Sequence, residues 1–321
     1  MCHYHTVHST MKSSRFTTTY RAVFLICIIF FFRVIAARAQ TGTQVDPRSV
    51  FSELRILKRA YPDIVFSISY DTMVEDWKIT IEANEKSTSL YWADGRYVRS
   101  DQYDEKERYR LLIYPYRIEL MDPATLSPEQ IAAIESFGST KRRSRAPVSN
   151  TAFFDAIYDS ATRSSVESHI VKFTFLGKQI NVHEKITGPL KRVETKILQL
   201  ARNDSAVKEF TESIASMHGY AWREVRDTAG RSFHSMGLAL DMLPSHGEGK
   251  VIYWLWEKNS GNETWMLVPL DKRWMPPDSV LSAFEEEGFI WGGKWPVWDN
   301  MHFEYRPELI ISARENERKS E

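Results

Sequence analysis

The chain has 321 residues, 43% hydrophobic and 26% charged, with 42 basic and 42 acidic side chains. That length supplies one or two domains with ample core, and the composition is that of an ordinary soluble globular protein. The zero formal charge hides an asymmetry: residues 1–39 hold five bases and no acid, leaving 37 bases against 42 acids, a balance that speaks against nucleic acid as a partner.

The basic residues Lys12, Arg15 and Arg21 precede "AVFLICIIFFF" (22–32), an apolar run of eleven, and "RVIAARAQ" follows with Ala37 and Ala39 at small-x-small spacing. This is the layout of a secretory signal peptide cut after Ala39. Eleven apolar residues fall short of the roughly 20 that span a bilayer. A retained anchor, extended through "VIAA", is the alternative, and it would be the protein's only contact with a membrane. Met11 would serve equally well as a start. Either way the protein is exported, to the periplasm or the medium. Both cysteines, Cys2 and Cys27, lie in this leader. The remainder has no thiol, so it holds together through its core or a metal, and any metal site must use His, Asp and Glu.

After the leader, "PRSVFSELRILKRA" (47–60) has apolar residues at helical spacing, while "IVFSISY" (64–70) and "WKITIEA" (77–83) alternate like strands with one buried face. "TSLYWADGRYV" (88–98) reads as strand, Asp-Gly turn and strand. "SPEQIAAIESF" (127–137) opens a helix with a capping box of Ser127 and Gln130. Residues 40–138 thus form an N-terminal α+β region. It is expected to pack against the rest, with a wall-glycan module as the other reading. "GSTKRRSRAPVSN" (138–150) is polar and lacks apolar periodicity, which makes 139–149 the expected linker.

The domain 150–321 begins with a helix over 150–166 and a strand at "HIVKFTFLG" (169–177), followed by helices at 188–202 and 204–218, the second capped by Asp204. "YAWREVRD" (220–227) is short and β-like. "KVIYWLWEK" (250–258) and "TWMLVPL" (264–270) are expected strands, and "PPDSVLSAFEEEG" (276–288) a helix ending at glycine. The charged tail 306–321 is expected to fray. Mixed order without a βαβ rhythm gives the fold class α+β, a mainly antiparallel sheet with flanking helices carrying the site.

Six histidines follow the leader: His169, His183, His218, His234, His246 and His302. In "RSFHSMGLALDM" (231–242) His234 precedes Asp241 by seven positions, and "LALDM" predicts a buried strand. A carboxylate there is costly unless paired or bound to a cation. Gly237 lets the chain turn, and Ala239, on the same strand face as Asp241, leaves room beside it. In "GFIWGGKWPVWDNMHFEY" (288–305) Asp299 lies three residues before His302, and "MHFEY" alternates with His302 and Glu304 on one face. Three ligands, His234, Asp241 and His302, plus a water make the open four-coordinate arrangement of catalytic zinc. Asp299 stands where a general base would. Trp291, Trp295 and Trp298 are core or cleft wall, Gly292 and Gly293 a turn, Arg226 and Arg231 a solvated face. His183, His218 and His246 lack partners at ligand spacing and are read as structural.

"SFHSMGLALD" (232–241) resembles the S-x-H-x-x-G-x-A-x-D motif of the zinc D-alanyl-D-alanine carboxypeptidases and L-alanyl-D-glutamate endopeptidases, a family of vancomycin-resistance carboxypeptidases and phage endolysins. "GGKWPVWDNMHFE" (292–304) is similar to its second motif, and "GYAWREV" (219–225) to the aromatic-arginine segment before the first. The resemblance covers about 187–306, and no motif position departs from the pattern. It implies one zinc ion held by His234, Asp241 and His302, with Asp299 as the catalytic acid and base. Arg223 would stabilise the oxyanion or grip a substrate carboxylate. Ser232 would be a hydrogen-bonding support, and Glu304 would orient His302 or a substrate amine. The implied reaction is amide hydrolysis in the peptidoglycan stem peptide. A non-catalytic zinc-binding envelope module of the same fold is the alternative, and a hydrogen-bonded polar core in a structural envelope protein is a third.

Overall fold

The computed structural model describes residues 47–225, 230–245 and 249–320; the leader, Arg226 and His246 lie outside them. Helix α1 (Pro47–Ala60) buries Val50, Leu54 and Leu57, which share one face, against a three-stranded antiparallel sheet of β1 (Val65–Asp71), β2 (Asp76–Ala83) and β3 (Lys86–Tyr91) in that order. The alternation of β1 and β2 delivers Phe66, Ile79 and Ile81 to the core. Beyond the turn at Asp94–Gly95 the expected second strand is one bridge, Tyr91 to Val98. Helix α2 (Pro128–Phe137) starts as its capping box predicts: the Ser127 hydroxyl accepts from Gln130 N at 3.3 Å, and Gln130 Oε1 accepts from Ser127 N at 2.8 Å.

The stretch expected as a linker carries structure. Helix α3 (Thr140–Arg143) ends in a buried Arg143 whose guanidinium lies 5.2 Å from the Trp254 ring, and β5 (Val148–Ser149) pairs in parallel with β4 (Tyr109–Arg110). A cation–π contact and ladder bonds seat this polar run without any apolar period. The helix expected over 150–166 is two, α4 (Ala152–Tyr158) and α5 (Arg163–Glu167), parted where Asp159 turns left-handed at φ 46°. Strands β6 (Ile170–Phe175) and β7 (Lys178–His183) form a hairpin.

Helix α6 (Thr187–Leu200) is followed by α7 (Ser205–Ser213), whose first amides, Ala206 and Val207, donate to Asp204 Oδ1 at 2.9 and 3.3 Å. The helix predicted through 218 stops early. Residues 214–218 become strand β8 (Ile214–His218) because β9 (Ala239–Pro244) offers them a ladder, which outweighs local helical preference. The two strands predicted within 250–270 are absent as well. Helix α8 (Trp254–Asn259) and a 3-10 turn at Trp265–Leu267 replace them, and Trp254, Leu255, Trp265, Met266 and Trp298 pack into a small separate core.

Helix α9 (Asp278–Glu286) ends before Gly288 (φ 89°), and β10 (Phe289–Trp291) and β11 (His302–Tyr305) complete an antiparallel sheet of order β10-β11-β9-β8. The tail does not fray. Residues 307–320 form helix α10 (Pro307–Ser320), burying Leu309, Ile310 and Ala313 while Glu315 pairs with Arg55 and Arg59 of α1. The fold is therefore α+β with antiparallel sheets, as expected. Among the described residues no helix is long and apolar enough to cross a membrane.

One core runs from α1 to β11. Phe153 and Phe154 of α4 join its halves: the Phe153 ring lies 5.6 Å from Tyr61 and 6.2 Å from Phe66, and Phe154 lies 5.0 Å from Phe233. Burying one such ring stabilises by about 1.5–3 kcal/mol, and Phe233 immediately precedes His234.

Candidate metal centre

His234 sits in a 3-10 turn (Phe233–Met236) that Ser232 caps by accepting from His234 N at 3.3 Å. Gly237 ends the turn at φ +68°. A Cβ there would stand 2.6 Å from His183 N, so the approach of the turn to β7 requires glycine. His234 is buried, with Nδ1 2.6 Å from the carbonyl of Gly219. A carbonyl only accepts, so Nδ1 carries the proton and Nε2 presents a lone pair.

Asp241 lies opposite His302 in the β9–β11 ladder and opposite His218 in the β8–β9 ladder. Its Oδ1 is 3.1 Å from His234 Nε2 and 2.9 Å from His302 Nδ1. One ligand atom of each of His234, Asp241 and His302 falls within 4.8 Å of the others, and no other group of three such side chains does so among the described residues. His302 Nε2 lies 3.2 Å from Glu304 Oε2. That carboxylate is held below its usual range: burial pushes it up, but His302 and Arg306 outweigh burial. It therefore accepts from Nε2, which in the neutral ring leaves the Nδ1 lone pair facing Asp241.

Two lone pairs and a carboxylate oxygen thus converge on one point, an arrangement that repels itself unless positive charge sits there. The pKa shifts agree. Burial alone would raise Asp241, yet His234 and His302 hold it below the ordinary carboxylate range. Burial alone would lower His302, yet Asp241 and Glu304 raise it to about 10. A cation bound here would displace that proton. The donor set of two imidazoles and a carboxylate, without sulfur, suits a single divalent ion of zinc's kind.

Asp299 stands beside this cluster because β10 and β11 are joined tightly. Asp299 N donates to Gly292 O at 3.0 Å, His302 N to Asp299 O at 3.2 Å, and a Cβ on Gly292 would lie 2.6 Å from Asp299 O. Asp299 Oδ1 is buried with no hydrogen-bond partner. Burial raises its carboxyl to about 7; His302 opposes that shift, Asp241 adds to it and Arg223 subtracts. Arg223 itself is exposed, on a segment laid over the His234 turn by Ala221 N to His234 O (3.1 Å) and Ser232 N to Arg223 O (3.2 Å). The half-buried Trp295 ring lies 5.4 Å from the His302 ring, whereas Trp291 and Trp298 are core.

His183 and His218 lie outside the cluster, as expected, whereas Arg231 departs from expectation. His183 is buried and structural, its Nε2 3.0 Å from Tyr158 O, and exposed His218 points no ligand atom into the cluster. Arg231 is not a solvated face: it is largely buried, bonding Asp155 and Ser160 O, with its guanidinium over Trp222. Sequence reasoning missed the Gly219 carbonyl and Arg306. The first had a signal, since Gly219 opens the "GYAWREV" segment; the second had none.

Residues 225–305 match the family model described as D-alanyl-D-alanine carboxypeptidase, a span that holds all three converging side chains. This segment is a domain of that carboxypeptidase family. Membership implies a metallopeptidase. Within the carboxypeptidase-family domain fall Ser232, Trp295, Asp299 and Glu304, while Arg223 lies two residues before it. A model for a domain of unknown function matches residues 53–114. No curated protein and no solved structure matches the chain.

Proposed function

We propose that the protein is a zinc-dependent peptidase that hydrolyses amide bonds in peptidoglycan stem peptides, as carboxypeptidase or endopeptidase, with Asp299 as general base. The observation that carries this reading is the buried, unpartnered Asp299 Oδ1, raised to about 7, beside a His-Asp-His cluster able to hold one ion. When bound, such an ion supplies Lewis acidity, polarising the scissile carbonyl and acidifying a water.

The chain's own groups do the rest. Asp299, poised near neutrality, takes the proton of the attacking water and returns it to the leaving amine. Arg223, exposed at the mouth, meets the oxyanion or the substrate's terminal carboxylate. Trp295 flanks His302 and presents an aromatic wall to the peptide. Glu304 fixes the His302 tautomer and Ser232 the turn under His234. Peptidoglycan lies outside the cytoplasm, which agrees with export by the leader and a mature protein beginning at Gln40.

The test is mass spectrometry of muropeptides after incubation with purified protein, with and without a chelator. Loss of a terminal alanine identifies a carboxypeptidase and a cut after the first alanine an endopeptidase, each abolished by chelation. Metal-loaded protein that leaves muropeptides intact would sink the hydrolytic reading in favour of a non-catalytic zinc module.

A further inference from the structure

Arg306 is 2% exposed and lies two residues after Glu304. A guanidinium so placed has no water to share its charge, so its protein partners must do so. They come from both halves of the chain. Its Nε donates to Glu308 Oε1 at 2.5 Å, one terminal nitrogen to the Leu112 carbonyl at 2.9 Å, and the other to Glu304 Oε1 at 3.4 Å. The rings of Tyr114, Phe154 and Phe233 cover it at 5.3, 5.0 and 4.8 Å. Tyr61 of α1 donates to Glu308 at 2.7 Å.

Four residues along, the same N-terminal segment grips the other arm of the site. The Tyr116 hydroxyl donates to buried Glu285 at 2.6 Å and accepts from Trp291 N at 3.0 Å, while Lys294 closes on Glu285 at 2.5 Å. Trp291 and Lys294 bracket the two glycines, of which Gly292 seats Asp299 and Gly293 packs on the Trp291 ring.

We infer that Leu112–Tyr116 is a positioning strap for the metal centre, acting through Arg306 and Glu304 on the ring of His302 and through Tyr116 on the turn beside Asp299. The inference rests on the metallopeptidase reading and adds to it: the N-terminal region helps to set the affinity of the ion site. Arg306 is a positioning residue, since it touches neither ion nor substrate. Its fork bonds Glu304, Glu308 and Leu112 at once, and a lysine ammonium at that place keeps the charge but not the fork. Glu304 then loses its fixed orientation, and with it the carboxylate that holds the His302 tautomer.

The test is Co(II) titration of the full-length protein, read by binding isotherm and by the visible spectrum of the bound ion. Arg306→Lys is expected to weaken Co(II) about 10–100-fold and to change the spectrum, while urea unfolding of the metal-free protein stays cooperative. Val166→Ala, at a fully buried position outside the strap, supplies a destabilised control that should bind Co(II) like wild type. If Arg306→Lys does not fold, Tyr114→Leu removes only the covering ring and should weaken binding about two- to tenfold. Variants with the wild-type isotherm and spectrum, or with losses matched by Val166→Ala, would overturn the strap alone. Wild-type protein that bound no Co(II) would overturn the metal reading and the strap with it.

Discussion

Asp241 and His302 face each other across one rung of an antiparallel ladder, with Oδ1 and Nδ1 2.9 Å apart. The pairing is made by main-chain hydrogen bonds, so the two groups are preset before any ion arrives. Removing the carboxylate should therefore abolish ion binding and leave the fold. Asp241→Asn is expected to lower bound zinc from about one ion per chain to near zero by elemental analysis, with the far-ultraviolet dichroism of wild type. Stoichiometric zinc in that variant would contradict the ligand assignment.

In the proposed reaction, replacing Asp299 separates metal binding from turnover. Asp299→Asn should retain zinc and lose roughly a hundredfold or more in kcat/KM on muropeptide. The carboxyl must be ionised to accept a proton, so kcat/KM should fall as pH drops through its pKa. Without an ion that pKa is about 7, and a cation alongside pulls it lower, so the acid limb should lie at or below neutrality. A limb of unchanged position in Asp299→Asn would assign it to another group.

Gly237 and Gly177 both have positive φ, +68° and +73°, but a Cβ on Gly177 meets nothing within 4 Å whereas one on Gly237 meets the His183 backbone at 2.6 Å. Gly177→Ala should cost about 1–2 kcal/mol, the left-handed backbone term alone. Gly237→Ala adds a clash that no side-chain rotation relieves, and should cost more by urea unfolding and weaken zinc. Equal losses would mean that the turn and β7 yield easily.

His183 makes an acid-stability prediction. Burial lowers it from 6.5 to about 4, against an opposing hydrogen bond to Tyr158 O. Its folded pKa is depressed, so above 6.5 both states are neutral and the full stability is present. Between 6.5 and 4 the unfolded chain takes up a proton that the folded one refuses, and stability falls with pH by up to about 3 kcal/mol. His183→Gln should flatten that limb of the stability–pH curve. Parallel curves for variant and wild type would show that the acid loss arises elsewhere.

Local pattern carried part of the regular structure and the two segments whose His234, Asp241 and His302 converge. The capping box at Ser127, the alternation of β1 and β2, and the two ligand-bearing segments are each read within about a dozen residues, and each keeps its place in the fold. What local pattern could not carry was decided by distant neighbours. "IASMH" has a helix-compatible spacing and becomes β8 only because β9 lies beside it. "YWLWEK" is too uniformly apolar to show a period, and Trp265 packs on it as a helix. The tail looked merely charged because its apolar face, Leu309, Ile310 and Ala313, is narrow. Arg306 carried no pattern at all, since its partner carbonyl at Leu112 is 194 residues away.

The pairing of α1 with α10 joins residues 260 positions apart, and one of the three converging side chains, His302, comes only shortly before helix α10. Contacts of such sequence separation form slowly because the intervening loop must close first. A chain still being synthesised therefore has every element of its first sheet before the three converging side chains can meet. The cluster is thus among the last parts of the described fold to be assembled.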